Sequence, residues 1–186
     1  VKGLSDENNE AMRDAKLNCV TLCNHQSDLS GMDVESLIEA LKDKNSAVRE
    51  KAANSLGKLR NPRAIKALIN TLEDECRYVS KAAIVALGSF GLEAAEAIPA
   101  LINRLEYIPV DQDVDIGTDD RGYTLYRDLA DYSISDAAGE ALAQIGKPAV
   151  EPLIRILKDK ERLDLIRVRE TACYALGEIG DPRAIE

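Results

Sequence analysis

The sequence has no tryptophan, one phenylalanine and one histidine, and aromatic residues make up only 4% of its 186 positions. Apolar residues nevertheless reach 45%, so a core must be built from alanine, leucine, isoleucine and valine. Such a core suits closely packed helices better than a β-sandwich, which draws more heavily on β-branched and aromatic residues. The composition therefore favours an all-α fold.

Positive charge is also scarce, since 24 Lys and Arg stand against 33 Asp and Glu and give a net charge of −9. Binding to nucleic acid or to an anionic membrane surface relies on Lys and Arg near phosphates. No apolar run approaches the roughly 18 residues that span a bilayer, and no signal-peptide pattern opens the chain. We therefore expect no nucleic-acid or membrane partner. The four scattered cysteines favour a reducing, cytoplasmic location.

One pattern recurs along the chain at a spacing of about 31 residues. Two copies share V-R-E and P-R-A-I, at Val48–Glu50 with Pro62–Ile65 and at Val168–Glu170 with Pro182–Ile185. Two further copies lie between them. Each copy holds a short and a longer stretch with apolar residues every three to four positions, which predicts two amphipathic helices. A two-helix unit cannot bury its apolar face alone, so the copies must stack into a solenoid.

The pattern L-x-D-x-x-x-x-V-R-x-x-A-x-x-x-L-G-x-x-x-x-P-R-A-I resembles the short HEAT repeats of the phycobilisome lyases. The resemblance covers about residues 34 to 186 and implies an α-α superhelix of about four helix pairs. We set an N-terminal helical cap or degenerate half-repeat at 1–32, repeats at 33–63, 64–95, 96–147 and 148–181, and the start of a further repeat at 182–186. A solenoid normally ends in a polar cap. The missing C-terminal cap therefore predicts a longer parent protein or self-association at that end.

The same resemblance implies a ladder of polar contacts between repeats, formed by an Asp in the inter-helix turn and an Arg six residues later. Asp43 and Arg49 match this spacing. Asp74 is followed at that distance by a serine, and Asp159 and Arg169 match only across four inserted residues. We therefore expect the ladder to be interrupted after the first repeat.

The third copy carries an insertion at 107–131, between its two helices, in which seven Asp stand against two Arg. Tyrosine offers a rigid surface with a polar tip, which suits a protein interface. Long loops are either functional or unstructured. Two interpretations stay open, a loop that docks a basic partner surface and a solvated loop. The candidate contact residues in and beside the insertion are Tyr107, Tyr123, Tyr126, Arg127 and Tyr132.

The sequence assigns no catalytic residue and no metal site. The aspartates at positions 111, 113 and 115 have the spacing of a calcium loop, but the Gly and Glu that such a loop requires are absent. Cys19, Cys23 and His25 could share a metal, but they lack a fourth ligand, and a packed cap helix explains them as well. Signatures of zinc proteases and of nucleotide-binding loops are also absent.

In HEAT arrays the second helices line the concave side. The register of the first of these helices buries Val48, Ala52, Leu56 and Leu59 and leaves the opposite side exposed. The register also predicts that Cys173 is buried and that Cys76 is exposed. The predicted column of partner-binding residues on the exposed side is Asn54, Val85, Glu140 and Tyr174. A large amphipathic ring beside a charge is a typical anchor pair, which favours Glu140 and Tyr174. For any single one of these residues, a role in solubility alone is an equally simple explanation.

Two functions from different classes follow. The main prediction is a non-enzymatic scaffold that binds a protein partner through its concave face and its insertion, with no cofactor. The alternative is a bilin lyase or bilin-handling subunit that acts on phycobiliproteins, with phycocyanobilin or a related bilin as its ligand. In the family that the repeats resemble, the solenoid holds an open-chain tetrapyrrole while it is joined to a cysteine of a phycobiliprotein. No residue specifically marks a bilin site, and fold alone is a weak guide to function.

Overall fold

The computed structural model describes residues 31–105, 115–118, 124–126, 132–159 and 166–184. Eight α-helices lie within these ranges: α1 (Val34–Ala40), α2 (Ser46–Leu59), α3 (Ile65–Thr71), α4 (Arg77–Ser89), α5 (Ile98–Leu105), α6 (Tyr132–Ile145), α7 (Val150–Lys158) and α8 (Ile166–Ile179). Short 3₁₀ segments precede three of the first helices of the pairs and follow the last helix, at Pro62–Ala64, Gly91–Ala97, Lys147–Ala149 and Pro182–Ala184. Short first helices thus alternate with longer second helices. None of the helices in the described ranges is long and apolar enough to cross a membrane.

The insertion contributes the two strands of the described structure, β1 (Asp115–Thr118) and β2 (Thr124–Tyr126). They pair antiparallel, with Asp115 opposite Tyr126 and Thr118 opposite Thr124. The insertion was predicted to be a loop, and this hairpin differs from that prediction. The predicted contact residues Tyr107, Tyr123 and Arg127 and the aspartates at 111 and 113 lie outside the described residues.

The contacts divide the chain into two compact units, with the boundary between Ala86 and Leu87, inside α4. Both units have the aliphatic core that the composition predicts. Fully buried side chains of the N-terminal unit are Leu37, Leu56, Leu68, Leu72, Val79 and Ile84. Those of the C-terminal unit are Leu87, Leu101, Leu105, Leu142, Val150 and Leu153.

Side-chain caps fix where several helical segments begin. The Asp33 carboxylate accepts a hydrogen bond from the Ser36 amide at 2.7 Å at the start of α1. The Asn61 side chain accepts from the Arg63 amide at 3.1 Å, and Pro62 takes the first position of the segment, where its missing N–H is not needed. These caps fix the residue at which each of the two segments begins, and therefore which of its side chains face the core.

Four burial predictions from the repeat register are wrong. Val48 is only half-buried, and Leu59 is exposed because α2 ends at this residue. Cys76 is buried and disulfide-bonded rather than exposed. Its turn is drawn inward, since its amide donates to the Asp74 carboxylate at 2.8 Å. Cys173 is exposed rather than buried, because no helix in the described structure covers that side of α8.

Candidate functional site

The turn between α3 and α4 is joined to α2 by a buried ion pair. The Arg49 guanidinium donates to both carboxylate oxygens of Asp74, at 2.7 and 2.8 Å. A third nitrogen, Nη1, donates to the carbonyl oxygens of Asp43 at 2.8 Å and Lys44 at 3.2 Å. The hydrogen bond with Asp74 raises the pKa of Arg49 above its ordinary value. This bidentate geometry gives the strong form of the interaction and makes it a structural link between the first two helix pairs.

The described residues at the matching positions of the second and last copies make other contacts. In the second copy, the buried Ser80 hydroxyl donates to the Leu72 carbonyl at 2.7 Å. In the last copy, the Arg169 guanidinium donates to the Leu157 carbonyl at 3.3 Å. At these two positions the Ser80 and Arg169 side chains thus bind backbone carbonyl groups.

A groove lies between α6 and α8 in the C-terminal unit. These helices approach closely because Gly139 has no side chain, and a Cβ added there would lie 2.3 Å from the Thr171 Cγ2 atom. The groove encloses about 300 Å³. Its lining residues are Asp136, Glu140, Arg167, Glu170, Thr171 and Tyr174.

Arg167 lies between two carboxylates of this groove. One of its nitrogens, Nη2, is 3.3 Å from both Asp136 oxygens, and the other, Nη1, is 3.5 Å from a Glu170 oxygen. All three side chains are about half exposed, so solvent screens these long ion pairs and they contribute little to stability. The guanidinium can therefore exchange one of its carboxylates for an anionic ligand at little cost.

The rest of the groove combines an aromatic surface with excess negative charge. Tyr174 is 53% exposed, so its ring is available for stacking. Glu140, Asp136 and Glu170 outnumber the single guanidinium of the groove. Within the described residues, no group of three or more His, Cys, Asp or Glu side chains could hold a metal ion. The arrangement can bind and orient a flat, polar ligand.

The structure brings together two of the predicted partner-binding residues, Glu140 and Tyr174. Asn54 and Val85 are exposed in the N-terminal unit, Tyr126 lies in β2 and Tyr132 begins α6. Four groove residues are absent from the predicted binding residues. Helical spacing would have found two of them, because Asp136 lies four positions from Glu140 and Glu170 lies four positions from Tyr174. The missed residues are Asp136, Arg167, Glu170 and Thr171.

Comparison with known proteins identifies the repeats. The family of HEAT repeats matches residues 34–112 and 125–186. The chain belongs to the HEAT-repeat family. This match confirms the predicted all-α solenoid class, to which the short hairpin of the insertion is an addition.

Two similar proteins connect this HEAT-repeat chain with bilin lyases. Phycocyanobilin lyase subunit alpha of Synechococcus elongatus is 44% identical over 77 residues, in a match that covers 38% of this chain and 28% of that protein. The solved complex of CpcE and CpcF of phycocyanin lyase from Nostoc sp. PCC7120 is similar with a TM-score of 0.57 and 27% identity. That match covers 87% of this chain and 59% of the other. The chain therefore spans less than a third of the curated relative. The resemblance to the phycobilisome-lyase type of repeat is confirmed.

These similarities contradict the main functional prediction. A non-enzymatic scaffold was preferred because no residue marked a bilin site, yet this HEAT-repeat chain resembles a phycocyanobilin lyase subunit and a phycocyanin lyase complex. The absence of a recognisable motif was a poor argument, because a binding groove built from scattered helix-surface residues leaves no local signature. The alternative, a bilin lyase or bilin-handling subunit, is the better supported of the two.

Proposed function

We propose that this chain is a bilin-handling subunit of a lyase that acts on phycobiliproteins. The observation that carries the proposal is the 44% identity over 77 residues with a phycocyanobilin lyase subunit. The similarity to a complex of two lyase proteins supports a function that requires a protein partner. The chain's own contribution is to bind and position the pigment for an acceptor cysteine, which is catalysis by proximity and orientation.

The groove between α6 and α8 is the proposed bilin site. An open-chain tetrapyrrole has a flat conjugated face, N–H donors on its pyrrole rings and negatively charged propionate groups. Tyr174 supplies a ring for stacking, Glu140 a carboxylate acceptor for N–H groups, and Arg167 a guanidinium for a propionate. Each chemical feature of the ligand thus has a counterpart among the groove residues.

The size of the groove suits a site that binds the bilin transiently and transfers it to an acceptor protein. Its volume of about 300 Å³ lies at the lower end of the roughly 300–1,000 Å³ of pockets that enclose drug-sized ligands. A tetrapyrrole would be only partly covered here, and its remaining surface would stay accessible to an acceptor protein. Partial enclosure favours a transient carrier over a permanent pigment protein.

Titration with phycocyanobilin tests the proposal. We expect a red-shifted visible absorbance band that saturates as the chain is added. Tyr174→Ala should weaken binding about tenfold, because a stacking ring at the centre of a site is worth about 1.4 kcal/mol or more. Lys66→Ala, an exposed position of α3 in the N-terminal unit, is the matched control and should bind as the wild type does. An unchanged bilin spectrum would refute the function, and equal affinity of the Tyr174 variant would exclude the groove.

The insertion is the proposed contact with the acceptor or with a second subunit. Its aspartates suit a partner with a basic surface, and its tyrosines suit an interface. Tyr123→Ala combined with Tyr126→Ala should therefore weaken recovery of the partner in a pull-down. Unchanged recovery would remove the insertion from the proposal. A cytoplasmic location is part of the same proposal. Self-association at the C-terminal end stays a prediction, which the oligomeric state of the chain in solution tests.

A further inference from the structure

The connection between α2 and α3 concentrates positive charge in a chain that is acidic as a whole. Residues 51–72 contain five Lys or Arg and no Asp or Glu, although the net charge of the chain is −9. Lys58, Arg60 and Lys66 are exposed in this stretch. No carboxylate of the described residues forms an ion pair with any of the three. Three cations therefore face solvent at one corner of the N-terminal unit.

Arg60 occupies its place in this corner against the preference of its backbone. Its φ of 49° lies in the left-handed region, which a Cβ atom disfavours. The equivalent residues of the other three copies are glycines with φ of 57°, 85° and 63°, at Gly91, Gly146 and Gly180. Glycine adopts this conformation at no steric cost. The first copy thus keeps an arginine where the fold favours glycine, and a strained residue that is retained points to a function.

The helix dipoles account for only part of the cluster. They favour cations at the end of α2, where Lys58 and Arg60 lie. They disfavour a cation in the first turn of α3, where Lys66 lies. Stabilisation of the two helices is therefore not a sufficient reason for all three charges.

An apolar side chain lies within this group of charges. Leu59, the last residue of α2, is 52% exposed. On the α1 side the group ends at Arg63, which binds the Glu35 carboxylate at 2.8 Å. An apolar centre with a charged rim is the usual composition of a protein interface. We call Lys58, Leu59, Arg60 and Lys66 the basic corner.

We propose that the basic corner docks an acidic surface of a partner protein, on which clustered Asp or Glu side chains surround an apolar side chain that packs on Leu59. Nucleic acid and anionic membranes are poorer occupants. Both are extended polyanions that the net charge of −9 repels, and a phosphate backbone makes no use of an exposed leucine. A protein surface needs to match only the local charge, because charges beyond about 8 Å are screened at physiological ionic strength.

Fluorescence anisotropy of a labelled acidic peptide tests this inference on the full chain. The peptide consists of repeated Glu-Glu-Leu units, and its control consists of repeated Gln-Gln-Leu units. We expect the acidic peptide to bind, the control peptide not to bind, and added salt to weaken the binding. The combined variant Lys58→Glu, Arg60→Glu and Lys66→Glu should abolish it.

Arg60→Gly separates docking from folding. The variant should bind the acidic peptide about fivefold more weakly, since one surface ion pair is worth up to about that factor. Its melting temperature should rise by about 2–4 °C, because glycine relieves the left-handed strain. Arg60→Lys keeps the charge and should bind within about twofold of the wild type. Lys158→Ala, an exposed lysine in the last turn of α7, is the matched control and should bind as the wild type does.

Four outcomes would overturn the inference. The acidic peptide does not bind, or Arg60→Gly binds it as the wild type does. Vesicles that contain phosphatidylglycerol, or a single-stranded oligonucleotide, bind more tightly than the peptide. Light scattering shows a dimer that Arg60→Gly dissociates, which would make a second copy the occupant. Bilin binding is a separate readout, because Arg60 does not line the α6–α8 groove.

Discussion

In α4, Gly88 lies against α6, whereas in α8 a Cβ added to the glycine at the same position of the repeat, Gly177, would meet no atom of the described residues within 4 Å. The turns differ in the same way. Arg49 binds both oxygens of Asp74 in the following repeat, whereas Arg169 reaches only as far as the carbonyl of Leu157. One repeat motif therefore has different energetic consequences, depending on whether the following repeat supplies its partner.

The largest expected difference between the two regions concerns the arginines. Arg49→Ala should lower the free energy of unfolding by about 3–5 kcal/mol, because it leaves the nearly buried Asp74 carboxylate without its counter-ion. Arg169→Ala should cost about 1 kcal/mol, since it removes a hydrogen bond to a carbonyl. Urea unfolding followed by circular dichroism measures both. Equal losses in the two variants would show that the buried pair has no special role.

The glycines should respond with opposite signs. Gly88→Ala should destabilise the chain by about 1–3 kcal/mol, since the new methyl group collides with the backbone of Ala141. Gly177→Ala should stabilise the free chain by up to about 1 kcal/mol, because alanine is the better helix former and space is available. Thermal unfolding of the two variants is a sufficient test. If both alanine variants were more stable than the wild type, α6 would not pack closely against Gly88.

The smallest expected effect concerns the pH dependence of stability. Asn61 and Asp181 precede equivalent P-R-A segments, but only Asp181 can titrate. Hydrogen bonds from the Arg183 side chain and amide lower the pKa of the Asp181 carboxyl to about 2. Because this pKa is below the unfolded value of about 3.9, the stabilisation is present above pH 4 and is lost as the pH falls towards 2. Asp181→Asn should therefore be less stable than the wild type at pH 6, and the difference should shrink between pH 4 and pH 2. A difference that is independent of pH would contradict this origin.

The helical part of the fold could be predicted because its signals are local. Apolar spacing located the helix pairs, and the cap formed by Asn61 and Pro62 depends on neighbours in sequence. The hairpin of β1 and β2 could not be predicted, because its short strands lack a clear alternating pattern. The exposure of Cys173 and the disulfide of Cys76 depend on which segments meet in space, which the repeat register does not contain.

The candidate site was predictable only in part, for a related reason. Glu140 and Tyr174 followed from the repeat register because each lies on the exposed side of a second helix. Their grouping with Arg167 depends on the close approach of α6 and α8 at Gly139, a tertiary contact. The proposed function could not be read from these residues, since the groove consists of ordinary side chains that the same positions of any HEAT array can carry.

Visible-region circular dichroism of phycocyanobilin mixed with the wild-type chain reports on the proposed bilin site, because a bilin held in one conformation by a chiral groove acquires a dichroic band. We predict a band that grows with protein concentration, saturates, and is weakened by Tyr174→Ala. A mixture that shows only the spectrum of free bilin at saturating protein would contradict the account.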